Sequence, residues 1–80
     1  MIFHSNLSVR DLFNNIRRKQ ICLGGNRKLK IYGKLNCNSG KRMKTANRVF
    51  FQSESEAIEA GFRPCGHCMK VAYRQWKSAQ

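Results

Sequence analysis

The chain predicts one small α+β domain, a short antiparallel sheet accompanied by about three helices. Three observations carry that expectation. Apolar residues recur at helical spacing near both ends (Val9, Leu12, Phe13, Ile16; then Met69, Ala72, Tyr73, Trp76). Between them, QICL, KLKIYG and NRVFFQ place apolar residues in the short runs and alternations that suit strands. Two sequences of the form Ser-x-x-acid open helical stretches. With 80 residues and no repeat, low-complexity tract or linker, a single domain over 1–80 is expected.

Ser8, Val9, Arg10 and Asp11 read as a capping box with Asp in place of the usual Glu. They predict a helix over about 9–19, its apolar stripe turned to the core and Arg17, Arg18 and Lys19 in its last turn. Residues 1–20 then form an N-terminal helical extension. Gly24, Gly25 and Asn26 are turn chemistry between QICL and KLKIYG, which predicts a β-hairpin. NRVFFQ (47–52) supplies a third strand. Ser53 to Glu56 is a second capping box, opening a short helix that Gly61 closes. A last helix is expected over about 66–77, with Met69, Ala72, Tyr73 and Trp76 as a core-facing stripe. Residues 36–46, NCNSGKRMKTA, read as an irregular polar loop held at one end by Cys37.

Sixteen Lys and Arg against four acidic residues give a net charge of +12. The acids are Asp11, Glu54, Glu56 and Glu59, which leaves basic stretches at 17–19, 27–34, 41–48 and 70–77. Such an excess points to a polyanionic partner, nucleic acid first and an anionic membrane surface second. Arg10, Arg17, Arg18 and Lys19 interrupt every candidate signal peptide, and no run approaches the ~20 apolar residues of a membrane span. A cytoplasmic location is expected, where cysteines are more often metal ligands than disulfides.

RPCGHC (63–68) admits two readings, a redox dithiol or half of a zinc site. A thioredoxin-type scaffold needs a βαβ unit and generally more chain. So small a domain buries only roughly 60% of its unfolded surface, so a metal helps it considerably. Zinc needs thiolate or imidazole donors at about 2.0–2.3 Å in a tetrahedron, and two cysteines separated by two residues satisfy two corners.

Taken together, IYGKLNC, NRVFF and EAIEAGFRPCGHC resemble the zinc-binding N-terminal domain of the Ada methylphosphotriester-repair proteins, over about residues 26–70. They look closer still to small stand-alone bacterial proteins built on that domain, to which the N-terminal helix looks as if it belongs. The resemblance implies zinc as cofactor. It matches Cys65 and Cys68 to a ligating C-x-x-C pair and Cys37 to the second cysteine of an upstream C-x-x-x-C. The first cysteine of that upstream motif, the family's methyl acceptor, falls on Gly33. The resemblance therefore implies a metal site retained and a nucleophile lost. For the fourth ligand His4, Cys22, His67 and a water are open. His4 is favoured, because its segment has no other obvious anchor and the stand-alone relatives start in the same way. Cys22 sits between Ile21 and Leu23 as a half-buried cysteine, and His67 lies inside the C-x-x-C loop, where reaching the same ion is sterically difficult.

The function these readings favour is a zinc-binding, DNA-binding module that works by phosphate contact, without a catalytic residue. Ser39, Gly40, Lys41, Arg42 and Lys44 form a loop of hydroxyl, amides and cations suited to a phosphate, which Arg48 and Arg63 extend. Arg17, Arg18, Lys70 and Arg74 continue the patch, and nothing resembles a base-reading helix. The alternative is a thiol-based enzyme, either an alkyl acceptor through a zinc-bound Cys37 or a thiol–disulfide oxidoreductase through Cys65 and Cys68. A protein adaptor reading an acidic partner is the third possibility.

Overall fold

The computed structural model describes residues 1–37 and 43–79. Among these residues five strands form, β1 (Ile2–Phe3), β2 (Leu23–Asn26), β3 (Ile31–Lys34), β4 (Arg48–Phe51) and β5 (Arg63–Pro64). They form one sheet in the order β1-β4-β2-β3-β5. The helices are α1 (Val9–Arg17), α2 (Glu54–Glu59) and α3 (Lys70–Ser78). The α+β class and, among the described residues, the three helices agree with expectation. The sheet is mixed rather than purely antiparallel, because β5 pairs in parallel with β3 (Ile31↔Arg63, Tyr32↔Pro64). Pro64 lacks an N–H, which suits it to this edge position.

The hairpin forms, but offset from the expected turn. Gly24, Gly25 and Asn26 lie within β2, paired to β3 on one side and β4 on the other. The chain reverses instead over Arg27–Lys30, where Asn26 Oδ1 accepts the amides of Lys28 and Leu29 at 2.9 and 3.1 Å. Lys30 completes the reversal with φ at 59°. Asparagine imposes this turn through its side chain. The glycines answer a packing demand: a Cβ on Gly25 would stand 3.0 Å from both Ile31 O and Phe51 Cε2.

Residues opposite one another in register share a face of the sheet. Leu23, Gly25, Tyr32, Val49 and Phe51 are thus on one side, and Gly24, Gly33 and Phe50 on the other. The first side carries the core, where Tyr32, Val49 and Phe51 pack with Ala57 and Phe62, and Leu23 and Met69 close over them. Phe51 and Phe62 meet edge to face at 4.9 Å. Ser53 caps α2 as expected, its hydroxyl accepting the Glu56 amide. The Glu56 carboxylate in turn accepts the amide of Gln52 and pairs with the Met1 ammonium. Gly61, at φ 87°, closes the helix.

Two helices differ from expectation. α3 starts at Lys70 rather than 66, because residues 66–68 make the turn that carries the second cysteine of RPCGHC. Its stripe of Met69, Ala72, Tyr73 and Trp76 is half-buried. In α1, Ser8 caps the Asp11 amide as read, yet the apolar stripe does not enter the core. Val9 is 71% and Phe13 66% exposed, and Leu12 is half-buried. The core face of the sheet is already filled by Ala57, Phe62 and Met69. Among the described residues no helix is long and apolar enough to cross a membrane.

Candidate metal centre

The parallel β3–β5 pairing assembles the site. Cys65 donates its amide to Tyr32 O at 2.7 Å, which sets it beside the end of β3. The turn that follows returns Cys68 to the same place, where its Sγ accepts the Lys34 amide at 3.3 Å. After β3 the chain bends back, with the Cys37 amide on Lys34 O at 3.1 Å. The sulfurs of Cys37, Cys65 and Cys68 consequently lie within 4.8 Å of one another. Cys37 and Cys65 are 3.9 Å apart through their sulfurs. Two thiolates on a tetrahedral zinc at about 2.3 Å stand about 3.8 Å apart, so the Cys37–Cys65 pair is spaced for the ion. None of the four cysteines is joined in a disulfide.

Cys37 and Cys65 are buried and Cys68 half-buried. Backbone amides point at two of the sulfurs, Lys34 at Cys68 and His67 at Cys65 (3.4 Å), and favour the thiolate form. Against this, burial pushes the Cys68 thiol up to about 11; the Lys34 amide lowers it, and hydrogen bonding to Cys37 and Cys65 raises it further. A metal entering the site at neutral pH must therefore displace the Cys68 proton. Apparent zinc affinity should rise with pH by about tenfold per unit from this group alone, a dependence that competition with a chromophoric chelator over pH 6–8 would measure. An affinity flat with pH would place the Cys68 proton elsewhere.

Gly33 lies against the cluster. A Cβ there would stand 2.7 Å from Cys68 Sγ and 3.1 Å from Cys65 Cβ, so the glycine lets the β3 backbone pass directly beside the sulfurs.

The other expected site residues fall elsewhere. His4 follows β1, at the opposite edge of the sheet, three strand spacings or about 14 Å from β3. Its ring packs on Phe50 at 5.2 Å, with Nδ1 buried and without a hydrogen-bond partner. Burial, helped by the charge of Arg48, depresses its basicity. The structure does not bring His4 to the sulfurs. Cys22 is exposed rather than half-buried, and its thiol donates to Lys19 O. His67 is exposed and serves the site through its backbone amide. Ser39, Gly40, Lys41 and Arg42 lie outside the described residues, and Lys44 is exposed.

Arg48 and Arg63 are both tied into the fold. Arg48 donates to Leu35 O at 3.3 Å and lies over the Phe50 ring, anchoring the bend that leads to Cys37. Arg63 donates to Pro64 O and lies over Tyr73 and Trp76, joining β5 to α3. The amides of Lys34 and His67 and the close approach at Gly33 are the contributions that sequence reasoning missed. Backbone donors leave no residue-type signal.

A mixed α+β domain whose sheet edge gathers three thiols around a tetrahedral-sized space belongs to the sulfur-ligated zinc class. The chain is a member of the Ada zinc-binding family: the model for the metal-binding domain of Ada matches residues 12–70. Searches of curated proteins and of solved structures give no significant match. Family and sulfur cluster together identify the cofactor as zinc.

Proposed function

We propose that this domain is a zinc-organised nucleic-acid-binding module, directed at DNA, that grips phosphates and performs no chemistry on them. Cys37, Cys65 and Cys68 are its zinc ligands, and Gly33 stands where the family's methyl-accepting cysteine belongs. The observation that carries the reading is the net charge of +12. Among the described residues the ion pair found joins the Met1 ammonium to Glu56, so no described Lys or Arg is neutralised by a carboxylate. Part of that charge is arranged along α3, where Lys70, Arg74 and Lys77 line an open groove with Gly66, Tyr73 and Ser78. Groove and basic loop (Ser39, Lys41, Arg42, Lys44) act together in this reading. Arg48 and Arg63, their guanidinium groups held within the fold, add field rather than direct contact. A cytoplasmic location accords with cysteines that form no disulfide and with a nucleic-acid partner.

Duplex DNA of unrelated sequences should bind alike and weaken steeply with salt. With four to six phosphates neutralised, log K against log salt should slope at roughly −4 to −5, and Lys70→Ala or Arg74→Ala should each reduce the slope by about one. Fluorescence anisotropy over a salt series measures this. No binding at low salt, or a slope near zero, would rule the reading out.

A further inference from the structure

Zinc takes four ligands, and this chain brings three sulfurs to it. The remaining His, Asp, Glu and Cys residues (His4, Asp11, Cys22, Glu54, Glu56, Glu59 and His67) are all among the described residues and stand outside the cluster. Residues 38–42 read Asn, Ser, Gly, Lys and Arg, none of them of those four types. At Gly33 there is no side chain where one would press on Cys68. The fourth donor therefore has to come from outside this set of side chains.

Beside the sulfurs lies a cavity of about 120 Å³, lined by Gly24, Gly33, Cys37, Cys65 and Arg48 together with apolar Ile31 and Met43. One water needs only about 10–15 Å³ of such space, so a small molecule fits. Gly24 and Gly33 face each other in register across β2 and β3, about 5 Å apart. A Cβ on Gly33 would touch Cys68, and one on Gly24 would lie 3.8 Å from Arg48 Nε. The glycine pair is thus a bare strip leading from the thiol cluster to the guanidinium. No carboxylate lines the cavity. Arg48 is half-buried, and burial makes its charge costlier to hold. Among the described residues it contacts Leu35 O and the Phe50 ring, both uncharged, so it suits an incoming anionic group.

We propose that a small thiol bearing an anionic group completes the zinc centre from outside, its sulfur taking the fourth position and its anion meeting Arg48. A three-sulfur set favours a soft fourth donor, the thiol releases its proton to solvent as it binds, and a two- or three-carbon spacer matches the glycine strip. The proposal rests on the zinc centre and not on nucleic-acid binding, so loss of the latter leaves it standing.

Cobalt(II) in place of zinc makes the ligand set visible. Titrating the cobalt-substituted protein with 3-mercaptopropionate should add sulfur-to-cobalt charge-transfer intensity that saturates. Ethanethiol, lacking the carboxylate, should need at least about tenfold more, and Arg48→Gln should erase that difference. Gly33→Cys, supplying a fourth sulfur from the chain, should show the raised intensity from the start and ignore added thiol. Should that variant fail to fold, the two thiols and Arg48→Gln still decide. A wild-type spectrum unmoved by either thiol would overturn the proposal, and equal responses to both would overturn the role of Arg48. Absence of any cobalt–thiolate band before thiol is added would remove the centre itself, and the proposal with it.

Discussion

Stripping the zinc should unfold the domain. A chain of this length has a total stability of about 4–12 kcal/mol, whereas zinc bound by folded thiolates supplies an apparent 10–16 kcal/mol at neutral pH. The apolar core cannot compensate for the loss: Ile21, Tyr32, Val49, Phe50 and Phe51 are its large, fully buried side chains. The metal also ties together elements that otherwise hold weakly, because β5 is only two residues long and pairs with β3 over two positions. Cys65→Ser and Cys68→Ser should each reproduce the chelated state. Cys22→Ser should cost less than about 0.5 kcal/mol, since that side chain is exposed and away from the site. Near-ultraviolet circular dichroism and amide chemical-shift dispersion, with and without a tight chelator and then after zinc is restored, would record these differences. A metal-free protein melting within a few degrees of the zinc form would show that the sulfurs are incidental to the fold.

What could be read from the sequence was local chemistry with one solution. Ser8 and Ser53 are caps, Gly61 ends a helix with positive φ, and the cysteine spacing foretold a cluster to which Cys37 does contribute. The errors came where one residue type serves two purposes. Gly24 and Gly25 look like a turn, but Gly25 is there because Phe51 and Phe62 leave no room for a Cβ. Gly33 shows the same physics: a backbone strand approaching sulfur has the same one-letter code as a flexible loop. β5 was invisible because two residues carry no periodicity, and without it nothing in the sequence says that Cys65 lies beside β3 rather than near β1. His4 was favoured for want of another anchor. In the fold that anchor is Phe50, and the segment is also held by the β1–β4 pairing.

The helical stripe in α1 is the instructive case, because spacing predicts a face and not what covers it. Phe13 and Phe51 are the same residue type in equally persuasive patterns, yet Phe13 is 66% exposed and Phe51 0%. Phe51→Ala should therefore cost about 3–5 kcal/mol, the usual price of emptying a fully packed aromatic site. At about 4–8 °C per kcal/mol in a domain of this size, that lowers the melting temperature by well over 10 °C. Phe13→Ala should move it by no more than a few degrees, because little of that ring leaves water on folding. Both variants should be measured zinc-loaded, so that the metal's contribution is common to them. Phe51 packs against Phe62 and within the cluster that supports β3, so its loss should also weaken zinc retention, whereas Phe13→Ala should leave it unchanged. Equal destabilisation by the two substitutions would mean that α1 is covered in solution and that its stripe belongs to the core after all.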